Sequence, residues 1–324
     1  LLKEIWKSES HSNLPVIGCV FREISFNKNK LKGLAGTANA QIVGYGQWTD
    51  VVSVSSVGES LYNFYGFVCD GVYKDLEDLQ TSPKPAKYPA NGVFDRTNTV
   101  WVGDVKYKDI SGPDGVPDGV IDDYDKTNIG SPMPKFTFGW TNTFRYKNFD
   151  LSVFINGSYG NKVYNYLSMK LTHMNSPWTN QLNAVNGRAQ LVPINPNKVY
   201  EDGTMWYNDV SNVMVANPGA SIPRATINDP NDNDRISDRY IEDGSYIRLK
   251  NISLGYTFPK KTIDKLGLSN LRIYANIQNL LTITGYDGYD PEIGASTSSV
   301  NVYGLDNGRY PSPTVYSFGL NVSF

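Results

Sequence analysis

Cysteine is scarce: only Cys19 and Cys69 occur in 324 residues, which neither demands a disulfide framework nor marks a reducing compartment. Histidine is equally rare, and His11 and His173 match no compact zinc-ligand spacing with the two cysteines. No run of about 18 apolar residues exists, which excludes a transmembrane helix but not spanning by strands, each needing only about 10 alternating residues. Any Lys/Arg-rich block is missing too. With a net charge of -2 and a pI of about 5.8, the chain offers no basic surface for nucleic acid. No nucleophile motif, phosphate-cradling loop or cofactor fingerprint is found, and no carboxylate pair stands out among 32 acidic residues. An enzyme is not expected, nor an organic cofactor. Val16-Ile17-Gly18-Cys19 imitates a lipoprotein processing site, but Lys3, Glu4, Lys7 and Glu9 break up the apolar region of about 7–15 residues that processing requires.

What is abundant points to strands. Hydrophobic residues make up 40% of the chain and charged residues 19%, with 22 Tyr and 29 Gly, a balance suited to β-structure, aromatic girdles and polar loops. In residues 135 to 160, Phe136, Phe138, Trp140, Phe144 and Tyr146 share one face, and Thr137, Gly139, Thr141, Thr143 and Arg145 the other. After Lys147-Asn148 the alternation resumes with Phe149, Leu151, Val153, Ile155 and Tyr159 against Asp150, Ser152, Asn156 and Ser158. This is a hairpin with one apolar and one polar face. Alternation alone fits a soluble sandwich, apolar inward, or a membrane barrel, apolar outward; aromatics at both ends of the runs favour the barrel.

Six strands are expected, over 16–29, 135–147, 148–160, 246–258, 270–284 and 314–324. In the fourth, Ile247 and Leu249 are out of phase with Ile252 and Leu254, which predicts a bulge near Lys250-Asn251. Long polar stretches at 30–134, 161–245 and 285–313 alternate with short turns, with one helical turn expected at 262–266. Long loops and short turns in alternation are the outer-membrane pattern of extracellular loops and periplasmic turns.

Several segments resemble a known family. Leu61-Tyr62-Asn63-Phe64-Tyr65-Gly66-Phe67, Asp70-Gly71-Val72-Tyr73 and Gly103-Asp104-Val105-Lys106-Tyr107-Lys108-Asp109 resemble external-loop motifs of SusC/RagA-type TonB-dependent outer-membrane transporters. So do Asp118-Gly119-Val120-Ile121-Asp122-Asp123, the run from Gly244 to Tyr256, and Asn276-Ile277-Gln278-Asn279-Leu280. The resemblance covers roughly 20 to 324 in the family's order, while Leu1 to Cys19 departs from it and reads as a damaged or junction sequence. It implies the C-terminal part of an all-β antiparallel barrel of about 22 strands around a plug. It further implies import of oligosaccharides or peptides, energised through TonB, with a SusD-like surface lipoprotein as partner, in the outer membrane of a Gram-negative, Bacteroidetes-like bacterium. The plug domain, TonB-contacting segment and signal peptide are not expected within this chain. Six strands are too few to close a barrel. A soluble all-β carbohydrate-binding or adhesive module is the alternative.

Candidate sites follow. Asp114, Asp118, Asp122 and Asp125 occupy positions one, five, nine and twelve of a calcium-like loop, with Gly119 at six, Val116 at position three and Asp in place of the bidentate Glu at twelve. A solvated Asp/Gly turn cluster is the competing reading, leaving Ca²⁺ as the one candidate ion. Trp178, Trp206 and Tyr207, and likewise Tyr286, Tyr289 and Asp290, are loop residues of the kinds that platform a glycan or peptide substrate. They serve loop packing equally well. The last strand aligns Tyr316, Phe318, Leu320, Val322 and Phe324 on one face. An aromatic stripe ending in a C-terminal Phe resembles the sorting signal read by barrel assembly machinery.

Overall fold

The computed structural model describes residues 2–7, 17–35, 40–46, 50–292 and 302–324. His11, Val16 and parts of the polar stretches (36–39, 47–49 and 293–301) lie outside them. Seven strands form one antiparallel wall: β1 (Leu2–Lys7), β2 (Ile17–Ser25), β3 (Phe136–Tyr146), β4 (Phe149–Tyr159), β5 (Tyr246–Thr257), β6 (Asn270–Thr284) and β7 (Val315–Ser323). Their spatial order is their chain order, so the wall is a meander with β1 and β7 at its edges. The strand β1 was not among the six expected: Leu2–Lys7 pairs along β2 from Arg22 to Ile17. Backbone hydrogen bonds to an adjacent strand require no clean alternation of side chains.

Register fixes the two faces. Across the wall, Phe144 is opposite Leu151, Leu151 opposite Leu254, Leu254 opposite Ala275 and Ala275 opposite Phe318, a continuous apolar row. The register slips at Lys250, which has no partner on β4 or β6, and the slip returns Ile247 and Leu249 to the apolar face. The reverse face carries Arg145, Asp150, Arg248 and Arg272. Tight turns on one side, Lys147-Asn148 and the short helix Lys260–Ile263 with its continuation, join β3 to β4 and β5 to β6. Lys147 takes a left-handed φ of 52° there.

At the opposite end the long polar stretches fold into a head. It contains a four-stranded antiparallel sheet (Gln41–Tyr45, Val51–Ser56, Asn63–Gly66, Thr127–Gly130). A three-stranded sheet sets Lys162–Asn165 between Ile241–Asp243 and Leu305–Asp306, the last pairing parallel. The head has its own apolar cores. One gathers Val72, Leu79, Trp101 and Val213; a second Val52, Phe64, Tyr164, Tyr240, Val302 and Leu305; a third Phe67, Val105, Tyr107 and Ile121. A buried polar knot ties them: Asp104 accepts from Arg224 Nε at 2.7 Å, from the Trp101 amide at 2.8 Å and from Asn233 at 3.2 Å.

Candidate functional site

Where wall meets head, a cleft of about 720 Å³ opens on the polar face, between Thr137, Ser158, Tyr246 and Lys250 of the wall and Asp290, Glu292, Tyr303 and Tyr310 of the last interstrand segment. Its organiser is Arg248. Being in phase with the polar face of β5, its side chain turns inward, where it is 2% exposed. It donates to Thr282 Oγ1 at 2.9 Å and to Glu292 at 2.6 Å, and pairs with Asp290. Lys250, pushed out of register by the bulge, reaches the same Glu292 carboxylate at 2.8 Å. Burial would raise the Asp290 carboxyl, but the Ser312 amide, Arg248 and the Glu292 amide together hold it below the ordinary carboxylate range. A charged pair this buried holds the segment against the wall, since freeing either partner would strand a charge.

Of the residues expected to meet substrate, only Asp290 lines this cleft. Tyr286 is buried, its hydroxyl donating to Asp306 at 2.5 Å; burial first, then that carboxylate, drive its titration far upward. Trp206 packs against the first core, and its neighbour Tyr207 lies under the Arg96 guanidinium at 4.9 Å. Trp178 is 92% exposed and Tyr289 62%. Sequence reasoning missed Arg248, Lys250 and Glu292. The signal was present in a basic residue in phase with the lumen side of a strand, followed after the next strand by two acids.

The acidic loop is built from turns and caps. Asp125 accepts from the Ile110 amide at 2.8 Å and the Asp122 amide at 2.8 Å, Asp122 from the Tyr124 amide, and Asp118 from the Val120 amide. The carboxylates of Asp118, Asp122 and Asp125 thus serve backbone donors, as Asp does in Asx turns, and among the described residues no three of Asp114, Asp118, Asp122 and Asp125 bring their oxygens together as an ion would require. Among the described residues the His, Cys, Asp and Glu side chains close enough to share an ion are His173, Asp229 and Asp234. Yet Nε2 of His173 faces Asp229 at 2.9 Å and Nδ1 faces Asp234 at 3.0 Å, from the two edges of one ring. One ion cannot occupy both edges; two donated protons can. Burial opposes the charge, but the two carboxylates win and lift the His173 pKa to about 9.

No family model matches the chain. TonB-dependent receptor P3 of Formosa agariphila is 32% identical over 272 residues, covering 82% of this chain and 22% of the relative. TonB-dependent receptor P26 of the same organism is 32% identical, covering 93% of this chain and 26% of the relative. SusC of Bacteroides thetaiotaomicron is 29% identical, covering 64% and 17% respectively. In fold, the chain is similar to the RagAB peptide transporter structure, with a TM-score of 0.63 at 17% identity, over 99% of this chain and 28% of that one. It thus spans about a quarter of the length of the relatives it matches. The antiparallel wall with outward apolar rows, the folded head and the identity across most of the chain agree: this chain belongs to the TonB-dependent receptor family, the family of SusC, and is a segment of such a receptor.

Proposed function

We propose that the intact protein is an outer-membrane active transporter that imports oligosaccharides or peptides, energised through TonB and served by a SusD-like surface lipoprotein. The observation that carries this reading is the inversion of the wall, where large apolar side chains such as Phe318 (84% exposed) and Tyr316 (62%) point out from the sheet. On the other face, Arg248 is buried among carboxylates. Lipid outside and an aqueous lumen inside satisfy both faces together. On this reading the head lies outside the cell, the turns at Lys147-Asn148 and 258–269 lie in the periplasm, and the Arg248 cleft sits at the lumen mouth in the path of substrate.

Orientation is the test. In the intact receptor, epitope tags placed near Gly115 and Asn208 should bind antibody on whole cells, and a tag near Lys261 should bind only after the membrane is opened. Labelling in the reverse pattern would refute the assignment.

A further inference from the structure

One side of the Arg248 cleft is closed by a strap at 306–314, and the strap is pinned through its backbone. At one end the buried Asp306 carboxylate accepts the amides of Gly308 at 2.9 Å and Arg309 at 3.1 Å. At the other, buried Asp290 accepts the Ser312 amide at 3.0 Å, and Asn279 of β6 donates to the Pro313 carbonyl at 3.0 Å. Pro311 and Pro313 fix φ between these anchors. From this stiff frame Arg309 and Tyr310 extend into the cleft, both exposed, Tyr310 to 86%. Among the described residues Arg309 enters no ion pair, and its guanidinium donates no hydrogen bond. The acids in the lining are Asp290 and Glu292, and Arg248 and Lys250 match them one for one. The segment 293–301, outside the described residues, has no Asp or Glu in its sequence. The charge of Arg309 is therefore left over within the cleft, at a position that the strap holds in place.

The same lining offers little to a peptide backbone. Strand addition needs a row of free amides, whereas Pro132, Pro134, Pro291, Pro311 and Pro313 have no amide proton and the amides of Arg309 and Ser312 are spent. What the cleft presents instead is side chains: the ring of Tyr310, the hydroxyls of Thr137, Tyr246 and Tyr303, and one guanidinium. We infer that the cleft takes an oligosaccharide bearing carboxylates, a chain of uronic acids, with a carboxylate on Arg309 and a neighbouring sugar ring on Tyr310. The planar guanidinium fork meets a carboxylate through two parallel hydrogen bonds, and tyrosine joins an apolar face for the ring to a polar tip for its hydroxyls. The inference deepens the transporter reading and rests on it for placing the cleft in the path of substrate.

Calorimetric titration of the detergent-purified intact receptor with tetragalacturonate, maltotetraose and tetraglutamate tests the site. Wild-type receptor should bind tetragalacturonate about tenfold or more tighter than either of the others. Arg309→Gln should remove the margin over maltotetraose, and Arg309→Lys should restore only part of it, because lysine keeps the charge and loses the fork. Tyr310→Ala should weaken both sugars by a similar factor, about fivefold, and leave the margin between them. Heat-modifiable migration confirms that each variant is folded. Equal binding of the two sugars by wild type, a margin undiminished in Arg309→Gln, or binding of none of the three probes would overturn the acidic-sugar assignment. Tighter binding of tetraglutamate would overturn it in favour of a peptide. Any of these results with the tag pattern intact leaves the transporter reading standing, whereas a reversed tag pattern overturns the placement of the cleft at the outer mouth even where the sugar preference is found.

Discussion

The wall and the head solve burial in opposite ways. In the head, Val100, Trp101 and Val102 are all 0% exposed, and the apolar cores are closed over by polar loops. In β2 to β7, by contrast, the buried positions among the described side chains are Gly157, Arg248 and Gly255, and the large apolar side chains stand outward. The head is ordered like a water-soluble domain and the wall is inside out, within one covalent chain and separated by a few residues at each strand end. The difference teaches that the two parts take their stability from different solvents, and so should respond to different substitutions.

The largest effect should come from the head. Trp101→Ala empties the centre of the first core and should cost about 3–5 kcal/mol, seen as protease cleavage within 70–105 while the wall of the detergent-extracted receptor keeps its heat-modifiable migration. Simultaneous loss of the wall would show that the two parts are not separable. Next comes the wall. Phe318→Lys puts a charge on the lipid face at a cost of about 2–4 kcal/mol near the midplane, lowering the folded fraction in the outer membrane; in water the same change at an exposed position would be nearly neutral. Deleting Phe324, 93% exposed at the end of that stripe, should likewise reduce assembly, and wild-type levels of functional receptor would sink the sorting-signal reading.

A pH titration addresses the head alone. His173 has a folded-state pKa of about 9 against an ordinary 6.5, so its stabilisation is fully present below about pH 6.5 and fades as pH rises through 9. The amount is up to about 3 kcal/mol, and thermal unfolding of the head followed between pH 6 and 10 should show it, with the dependence lost in His173→Gln. A pH-independent head in wild type would mean the imidazolium clamp does not form. The smallest effect belongs to Trp178→Ala, which should change stability by less than about 0.5 kcal/mol because the ring is exposed. Any loss of uptake in that variant then reports on substrate or partner contact.

The sequence made the wall legible and left the head dark. Period-two alternation located the β3–β4 hairpin and, through its own failure at Lys250, the bulge. The head escaped because its strands run two to six residues, too short to display a period, and because its cores unite residues far apart in the chain. Tyr286 illustrates the limit at the site. As a loop aromatic it reads as a platform, yet a carboxylate at residue 306 takes its hydroxyl inside. Asp290 lines the cleft, but its partner on β5, Arg248, is legible only when strand phase is converted into direction.

The parallel pairing of Tyr164 with Leu305 has a consequence in time. The second core joins Val52 and Phe64 to Val302 and Leu305, so it cannot close until nearly the whole segment has been synthesised, whereas the β3–β4 hairpin needs only its own residues. Contacts of such long sequence separation form slowly. During that interval the greasy face of the early hairpin and the unfinished halves of the head are exposed together, which makes the nascent chain prone to aggregate until its last loop is in place.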